Sequence, residues 1–248
     1  MNVLYNQVII LGDSMVKVEA IAVDIDGTIT DEKRRLCHSS LDALRKAEDA
    51  GIPVIIVTGN ISHFTYAVAT MIGTSGGMVC ENGGAIYKEG YNDNRMVVLG
   101  DINKGRAAYD FLVQEFGDEI PLRITEDDDA RLSEITVYKL FDADPIKESL
   151  KDMDVEVYDS GFAIHLTDPE VDKGSSLRKL CELSGFNIEN VMGVGDGEND
   201  IDFLKEVGIK IAVANAEDEL KEFADYVCEK PYGDGVQEAI EKFVFNNE

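Results

Sequence analysis

Five short runs of mostly apolar residues recur along the chain, and in four of them no polar residue interrupts the run. They cover residues 20–23, 53–57, 78–80, 191–194 and 209–213. Strands that are buried on both faces of a parallel sheet have this pattern, whereas half-exposed strands alternate. The runs end in polar or glycine-containing turns, and helical patterns follow all of them except the third. The series predicts an α/β fold with a doubly wound, Rossmann-like parallel sheet.

Between the third and fourth runs the elements follow a different order. Two apolar segments flank a polar turn and predict a hairpin, and short strands then surround two helices. These elements are strands near residues 85–87, 96–99, 122–125, 134–140, 155–158 and 162–166, and helices near 104–116 and 144–152. We therefore expect a sheet domain formed by residues 15–84 and 168–248, with an α+β unit inserted at 85–167.

Two acids directly follow the first apolar run. In an extended backbone residues i and i+2 point the same way, so Asp24 and Asp26 share a face. Carboxylates this close repel each other unless a cation or a shared proton neutralises them. Gly27 lets the backbone turn sharply away. The sequence thus predicts either an acidic turn or a ligand site, at the strand end where open α/β sheets bind ligands.

A second pair of acids follows the fourth run. Asp196 comes directly after it between two glycines, and Asp200 lies four residues later at the start of a predicted helix. An isolated Gly-Asp-Gly turn is ordinary turn chemistry. Together with Asp24 and Asp26, however, it gives four carboxylates at two strand ends. Such oxygen ligands suit a hard, octahedral cation, so Mg²⁺ is favoured over zinc.

Two further polar residues have positions that fit an anion site. Thr58 ends the second run, where its hydroxyl and nearby backbone N–H groups can hold phosphate oxygens or cap the next helix. Lys173 opens a helix, at the end where the helix dipole disfavours a cation. It therefore needs a negatively charged partner, either a phosphate or a carboxylate such as that of Asp24.

The composition of the chain disfavours several classes of binding partner. The 248 residues carry 49 acids and 23 bases, a formal charge of −26. This charge disfavours nucleic acid and anionic membranes, and no apolar run reaches the ~18 residues of a membrane span. The acids are spread along the chain, as on solvated surfaces and in proteins suited to high salt.

The cysteines and the amino-terminal segment give two further expectations. The four cysteines form neither a metal-binding nor a disulfide spacing, which indicates free thiols in a reducing cytoplasm. Residues 1–14 lack the basic and long apolar regions of a secretory signal. Because Met15 leads straight into the first strand, we expect residues 1–14 to be dispensable and Met15 to be a candidate start.

In its motifs the chain resembles the haloacid dehalogenase superfamily of aspartate-nucleophile phosphatases. The four motifs occur in order at residues 24–28, 58–59, 173 and 195–200. The inserted unit is similar to the α/β cap of Cof-type, sucrose-phosphate and archaeal phosphoglycolate phosphatases. Asn60 stands where many Cof-type members have arginine, and it matches the Thr-Gly-Asn or Ser-Gly-Asn of the latter two branches. The short cap favours the phosphoglycolate branch.

The resemblance implies a role for each matching residue. Asp24 is then the nucleophile that becomes an aspartyl phosphate, and Asp26 is the general acid and base. Thr58, Gly59, Asn60 and Lys173 bind the phosphoryl group. Mg²⁺ is held by Asp24, the backbone carbonyl of Asp26, Asp196 and Asp200. The cap closes over the site and selects the substrate.

The expected function is Mg²⁺-dependent hydrolysis of a small phosphorylated metabolite, with 2-phosphoglycolate as the first choice. A sugar-phosphate phosphatase, a phosphomutase and a catalytically silent metabolite-binding protein are the alternatives. We expect a monomer or a homodimer. Arg131 in the cap is the candidate for gripping the substrate carboxylate; pairing with its acidic neighbours is the other interpretation, and Arg123 is the other candidate.

Overall fold

The computed structural model describes residues 9–11, 14–117, 119–161 and 163–245. At the amino end, β1 (Ile9–Leu11) pairs antiparallel with β2 (Ser14–Val16) in a two-stranded sheet of their own. The expectation that residues 1–14 are dispensable falls mostly outside the described ranges. No helix in those ranges is both long enough and apolar enough to cross a membrane.

The first βα units form one half of a large sheet. They comprise β3 (Ala20–Val23), α1 (His38–Asp49), β4 (Val54–Val57), α2 (Ser62–Ile72) and β5 (Gly77–Cys80). The three strands are parallel neighbours, and every residue of β3 and β4 is buried. Continuous apolar runs form these strands because both faces of the sheet are covered by other elements.

The hairpin that we assigned to the inserted unit belongs to the large sheet instead. Its strands β6 (Ala85–Tyr87) and β7 (Val97–Val98) add antiparallel to β5. Ala85 and Ile86 are buried there as part of the main core. The assignment of the hairpin to the inserted unit was therefore wrong. The sequence pattern indicates that the two segments pair with each other, but it does not indicate which other strand they join.

The inserted residues form a second layer with its own core. Helices α3 (Ile102–Phe116) and α4 (Asp144–Leu150) accompany the strands β8 (Ile135–Tyr138), β9 (Glu156–Asp159) and β10 (Ala163–Thr167). The strands pair antiparallel in the order β8-β10-β9. The strand expected near 122–125 is reduced to one bridge, between Ile124 and Val137. The α+β character of this segment is confirmed.

The βα series then resumes and completes the sheet. It comprises α5 (Lys173–Ser184), β11 (Val191–Gly195), α6 (Ile201–Glu206), β12 (Ile209–Ala212), α7 (Asp218–Phe223), β13 (Tyr226–Val227), α8 (Tyr232–Ile240) and a terminal turn Glu241–Phe245. The strand order is β13-β12-β11-β3-β4-β5-β6-β7. This arrangement confirms the doubly wound α/β fold and places β3 between β11 and β4.

Helix α8 contains two glycines. Gly235 lies inside the helix rather than ahead of its first residue, Tyr232. A Cβ atom at Gly233 would lie 2.3 Å from the Cβ of Cys37, next to α1. Gly233 therefore allows α8 and α1 to approach closely. In the sequence, a glycine with this role cannot be distinguished from one that marks a helix boundary.

Candidate active site

Asp24 lies at the centre of the sheet, at the carboxyl end of β3. Its backbone N–H donates to the Val194 carbonyl at 3.1 Å, which ties it to the neighbouring strand β11. Gly27 has φ 83°, and a Cβ atom there would lie 2.1 Å from an Asp196 carboxylate oxygen. Only glycine fits this turn. Because Gly27 has no Cβ atom, the Asp196 carboxylate can also come close to the backbone beside Asp24.

Three of the four predicted acids converge. Asp24, Asp196 and Asp200 each offer a carboxylate oxygen, and these oxygens all lie within 4.8 Å of one another. The hydroxyl of Thr28 donates to Asp196 Oδ1 at 2.7 Å. Asp200 Oδ2 accepts hydrogen bonds from the backbone N–H groups of Asp196 and Gly197. The loop thus holds its acids in a fixed arrangement that is suited to a hard divalent cation.

Lys173 is buried between two of these acids. Its Nζ lies 3.1 Å from Asp24 Oδ1 and 2.6 Å from Asp200 Oδ1, and 2 % of the side chain is exposed. The helix start is fixed by a capping box between Asp172 and Ser175. The negatively charged partners expected for Lys173 are therefore carboxylates. Their attraction for the lysine outweighs the unfavourable interaction with the helix dipole.

The crowding of acids changes their titration. Burial raises the pKa of Asp24 well above its ordinary value, and Asp200, Asp196 and Asp26 add to the rise while Lys173 opposes it. Burial and the charge of Asp200 raise the pKa of Asp196 to about 7. Burial opposes the charge of Lys173, but Asp200 and Asp24 raise its pKa on balance. The cluster holds more negative charge than one lysine neutralises.

The Asp26 side chain lies apart from this cluster. Arg34 holds it with both ends of its guanidinium, from Nε to Oδ1 at 2.7 Å and from Nη2 to Oδ2 at 3.2 Å. Asn60 Nδ2 donates to the same Oδ2 at 2.7 Å. Our sequence interpretation did not include Arg34. In the sequence, the one indication of a role for Arg34 is that it is a basic residue shortly after Asp24 and Asp26, in a chain with few basic residues.

Thr58 does not cap the following helix. That helix starts at Ser62, and its N-cap residue is Ile61. Thr58 is buried, and its Oγ1 accepts hydrogen bonds from the backbone N–H and the Nδ2 of Asn60, at 3.2 and 2.9 Å. Because both bonds use the oxygen as acceptor, its hydroxyl proton is left to donate to a bound anion. Gly59 continues the same turn.

Arg131 is engaged with neighbouring acids. Its guanidinium contacts Glu134 and lies 2.9 Å from Asp127 Oδ2, and it donates to the Gly59 carbonyl at 3.3 Å. The side chain is 5 % exposed. Pairing with acids, the alternative interpretation of Arg131, therefore describes its contacts. The other candidate, Arg123, is exposed and pairs with Glu126.

A buried polar network connects the inserted unit with the sheet domain. Glu134 contacts His165 Nδ1 at 3.0 Å through Oε1, and Asn82 Nδ2 at 3.1 Å through Oε2. Asn82 in turn accepts from Asn199, beside the acidic loop, at 3.1 Å. The sequence interpretation did not include these residues either. Their separation along the chain conceals a contact that only the tertiary fold creates.

Residues of both units enclose a cavity of about 110 Å³ above Asp24. Its lining consists of Asp24, Asp26, Thr58, Gly59, Asn60, Asp159, Ser160, His165, Asp196, Gly197, Glu198, Asn199 and Glu217. The predicted residues Asp24, Asp26, Thr58, Gly59, Asn60 and Asp196 are among them. Lys173 and Asp200 lie directly behind, in contact with Asp24 or Asp196. Arg131 is not part of the described lining.

Comparisons with known proteins agree with this geometry. The chain is 54 % identical over 231 residues to a protein of Methanobrevibacter smithii named phosphoglycolate phosphatase, covering 92 % of this chain and 99 % of that one. It is 52 % identical over 227 residues to a protein of the same name from Methanothermobacter thermautotrophicus, with the same coverage.

Solved structures share the fold. A crystal structure of protein 0175 of Thermoplasma acidophilum has a TM-score of 0.82 at 23 % identity, over 92 % of this chain and 98 % of that one. A haloacid dehalogenase-like hydrolase from B. subtilis gives 0.75 at 20 % identity, over 92 % and 100 %. The family of haloacid dehalogenase-like hydrolases matches residues 21–104 and 89–240. The chain is thus an enzyme of the haloacid dehalogenase-like hydrolase family.

Proposed function

We propose that the chain is a Mg²⁺-dependent phosphatase that hydrolyses 2-phosphoglycolate to glycolate and phosphate through an aspartyl phosphate on Asp24. The observation that carries this proposal is the site at the carboxyl end of β3, where Asp24 faces a cavity beside two further acids and a buried lysine. The choice of substrate is supported by relatives of this name that are 54 % and 52 % identical.

Asp24 is placed to act as the nucleophile. Lys173 Nζ lies 3.1 Å from its Oδ1, and the described residues form no hydrogen bond to Oδ2. In the first step Oδ2 attacks the phosphorus, the ester P–O bond breaks, and the glycolate oxygen leaves with the bonding electrons. Lys173 restrains the carboxylate so that one oxygen remains available to the substrate.

Asp26 is placed to move the proton. Two residues along the same turn, it lines the cavity without joining the acidic cluster. It donates a proton to the departing glycolate oxygen, and in the second step it takes one from the water that attacks the aspartyl phosphate. Asn60 and Arg34 orient its two oxygens. The second step releases phosphate and restores the Asp24 carboxylate.

Thr58, Gly59, Asn60 and Lys173 are placed to bind the phosphoryl oxygens. The Thr58 hydroxyl can donate to one of them, as can the backbone N–H groups of the turn. Lys173 supplies the fixed positive charge, which a buried setting makes more effective than in water. Positioning and charge stabilisation of this kind account for most of the catalysis in phosphoryl transfer.

The donors present fit Mg²⁺. Three carboxylate oxygens lie within 4.8 Å of one another, and oxygen is the ligand that Mg²⁺ prefers. Asp24, Asp196, Asp200 and the backbone carbonyl of Asp26 would hold the ion. When bound, it neutralises the excess negative charge of the acids and of the phosphoryl group.

We also infer a reducing, cytoplasmic setting. The four cysteines are free, and three of them, Cys80, Cys181 and Cys228, are buried. Burial raises the pKa of each of these three thiols to about 12, so they remain protonated and unreactive. The site residues named above all come from one chain, so either a monomer or a homodimer can carry the reaction.

The test is phosphate release from a panel of substrates, measured with millimolar Mg²⁺ and again with EDTA. We expect the highest kcat/KM with 2-phosphoglycolate, lower values with hexose phosphates and p-nitrophenyl phosphate, and no turnover in EDTA. Preference for a hexose phosphate would contradict the substrate, and full activity in EDTA would contradict the role of the metal.

A further inference from the structure

The cavity above Asp24 is strongly acidic for a site that receives an anion. Six carboxylate side chains line it, and His165 is the one basic side chain in its described lining. Mg²⁺ and Lys173 serve the phosphoryl group at one end. A carboxylate on the rest of the substrate would be repelled by the remaining acids unless a hydrogen-bond donor or a positive group meets it.

One nitrogen of the His165 ring is fixed by a buried carboxylate. Nδ1 lies 3.0 Å from Glu134 Oε1, and Glu134 is fully buried. Burial alone would raise the pKa of Glu134, but the charges of His165 and Arg131 lower it on balance. Asn82 Nδ2, which contacts the other Glu134 oxygen, also lies 3.1 Å from Nδ1, so Glu134 and Asn82 together fix this side of the ring.

The other nitrogen faces a hydroxyl. Nε2 lies 3.1 Å from Ser160 Oγ, which donates to the Ala163 carbonyl at 3.1 Å and accepts from the Ala163 N–H at 3.3 Å. With its proton directed to Ala163, the Ser160 oxygen can accept a hydrogen bond from Nε2. Ser160 and His165 together form part of the cavity wall.

Arg131 supports this arrangement from behind. It contacts Glu134 Oε1, the same oxygen that His165 Nδ1 faces, and its other partners are Asp127 and the Gly59 carbonyl. Its guanidinium is thus committed to holding Glu134 and its neighbours. The basic side chain that the inserted unit contributes to the described cavity lining is His165.

We propose that His165 is the specificity residue for the substrate carboxylate, to which it donates through Nε2 while Glu134 and Asn82 hold the ring at Nδ1. This proposal rests on the proposed function, and it gives the inserted unit its part in choosing a phosphorylated carboxylic acid over a neutral phosphate ester. Substrate binding replaces the Ser160 contact of Nε2 with a charge-assisted hydrogen bond to the carboxylate.

The experiment compares 2-phosphoglycolate with 2-hydroxyethyl phosphate, in which a neutral alcohol replaces the carboxylate. The variant is His165→Asn, whose amide can still donate to Glu134 near the Nδ1 position but lacks the Nε2 donor. We expect its KM for 2-phosphoglycolate to rise at least about tenfold, which is about 1.4 kcal/mol of lost binding. The KM for 2-hydroxyethyl phosphate should change less than about threefold, since a neutral alcohol loses a weaker hydrogen bond than an ionised carboxylate does.

The matched control is His63→Asn, at an exposed histidine of α2 outside this cavity. It should leave both KM values unchanged. Equal KM changes with both substrates in His165→Asn would reduce His165 to a structural residue. A selective change in Arg34→Gln with none in His165→Asn would overturn the proposal and assign the carboxylate to Arg34.

A second measurement leaves His165 itself intact, in case its replacement prevents folding. The chain has three histidines, and the other two, His38 and His63, are exposed. In a His38→Asn/His63→Asn protein labelled with ¹⁵N-histidine, the remaining signals belong to His165. Glycolate added with Mg²⁺ and inorganic phosphate should shift the Nε2 signal, whereas ethylene glycol should not; no shift with glycolate overturns the proposal.

The two failures are distinguishable. A wild-type enzyme that does not hydrolyse 2-phosphoglycolate contradicts the proposed function, and the role of His165 falls with it. A wild-type enzyme that hydrolyses it well, together with a His165→Asn variant that keeps the full preference for 2-phosphoglycolate, contradicts the role of His165 alone.

Discussion

Removal of the metal should make the stability of the protein depend on pH through Asp196. Without metal the folded-state pKa of Asp196 is about 7, against an ordinary value of 3.8. The folded protein therefore binds a proton that the unfolded chain has already lost. The stability contributed by this proton is fully present below pH 3.8, and it is lost as the pH rises to about 7.

The size of the effect follows from the shift. About three pKa units correspond to about 4 kcal/mol at most, at about 1.4 kcal/mol per unit. Roughly two of those units lie above pH 5, so metal-free protein should lose about 2–3 kcal/mol of unfolding free energy between pH 5 and pH 8 through Asp196. Asp24, whose pKa is also raised, acts in the same direction.

The assay is urea unfolding in EDTA at pH 5 and pH 8, for wild type and Asp196→Asn. The asparagine keeps the shape and cannot ionise, so the variant should lose about 2–3 kcal/mol less than wild type over this range. Added Mg²⁺ should restore the unfolding free energy of wild type at pH 8. It should restore that of the variant far less, because a metal favours the ionised ligands. Equal pH dependence in both proteins, or no effect of Mg²⁺ on wild type at pH 8, would refute the reasoning.

Three other changes test separate parts of the structure. Gly27→Ala should weaken Mg²⁺ binding in calorimetry, because the new Cβ would meet Asp196 at 2.1 Å; unchanged affinity would contradict the tight turn. Lys173→Met should lower the unfolding free energy of the metal-free protein by about 3 kcal/mol, the usual cost of breaking a buried ion pair, and a fully stable, active variant would contradict the buried bridge to Asp24 and Asp200. Deletion of residues 1–14 should leave activity and melting temperature nearly unchanged, because the described part of this segment pairs only with β2; a large loss of either would show that the segment packs as part of the fold.

The parts of the molecule that were predictable from sequence are those with a local signal. Continuous apolar runs indicated the buried parallel strands, and the acids and glycine after β3 and β11 indicated the site. The reason is geometric, since parallel strands end at one edge of a sheet and turn residues follow each strand directly in sequence. The sequence alone therefore predicts that Asp24 and Asp196 lie close together.

What was not predictable depends on tertiary contacts. The hairpin of β6 and β7 has the same pattern whether it pairs with β5 or within the inserted unit. Glu134 and His165 are 31 residues apart, and each alone looks like an ordinary polar residue on a strand. The sequence left two interpretations of Arg131, a substrate carboxylate or its acidic neighbours, and only the fold shows that Asp127 and the buried Glu134 are its partners.

The central claim is that Asp24 carries the phosphoryl group during turnover. The most direct measurement mixes the Asp26→Asn variant with Mg²⁺ and 2-phosphoglycolate, quenches in acid, and reduces the protein with borohydride, which converts an aspartyl phosphate to homoserine. We expect peptide sequencing by mass spectrometry to find homoserine at position 24, and none in a protein that also carries Asp24→Asn. Homoserine at another position, or an Asp24→Asn enzyme with normal turnover, would contradict the mechanism.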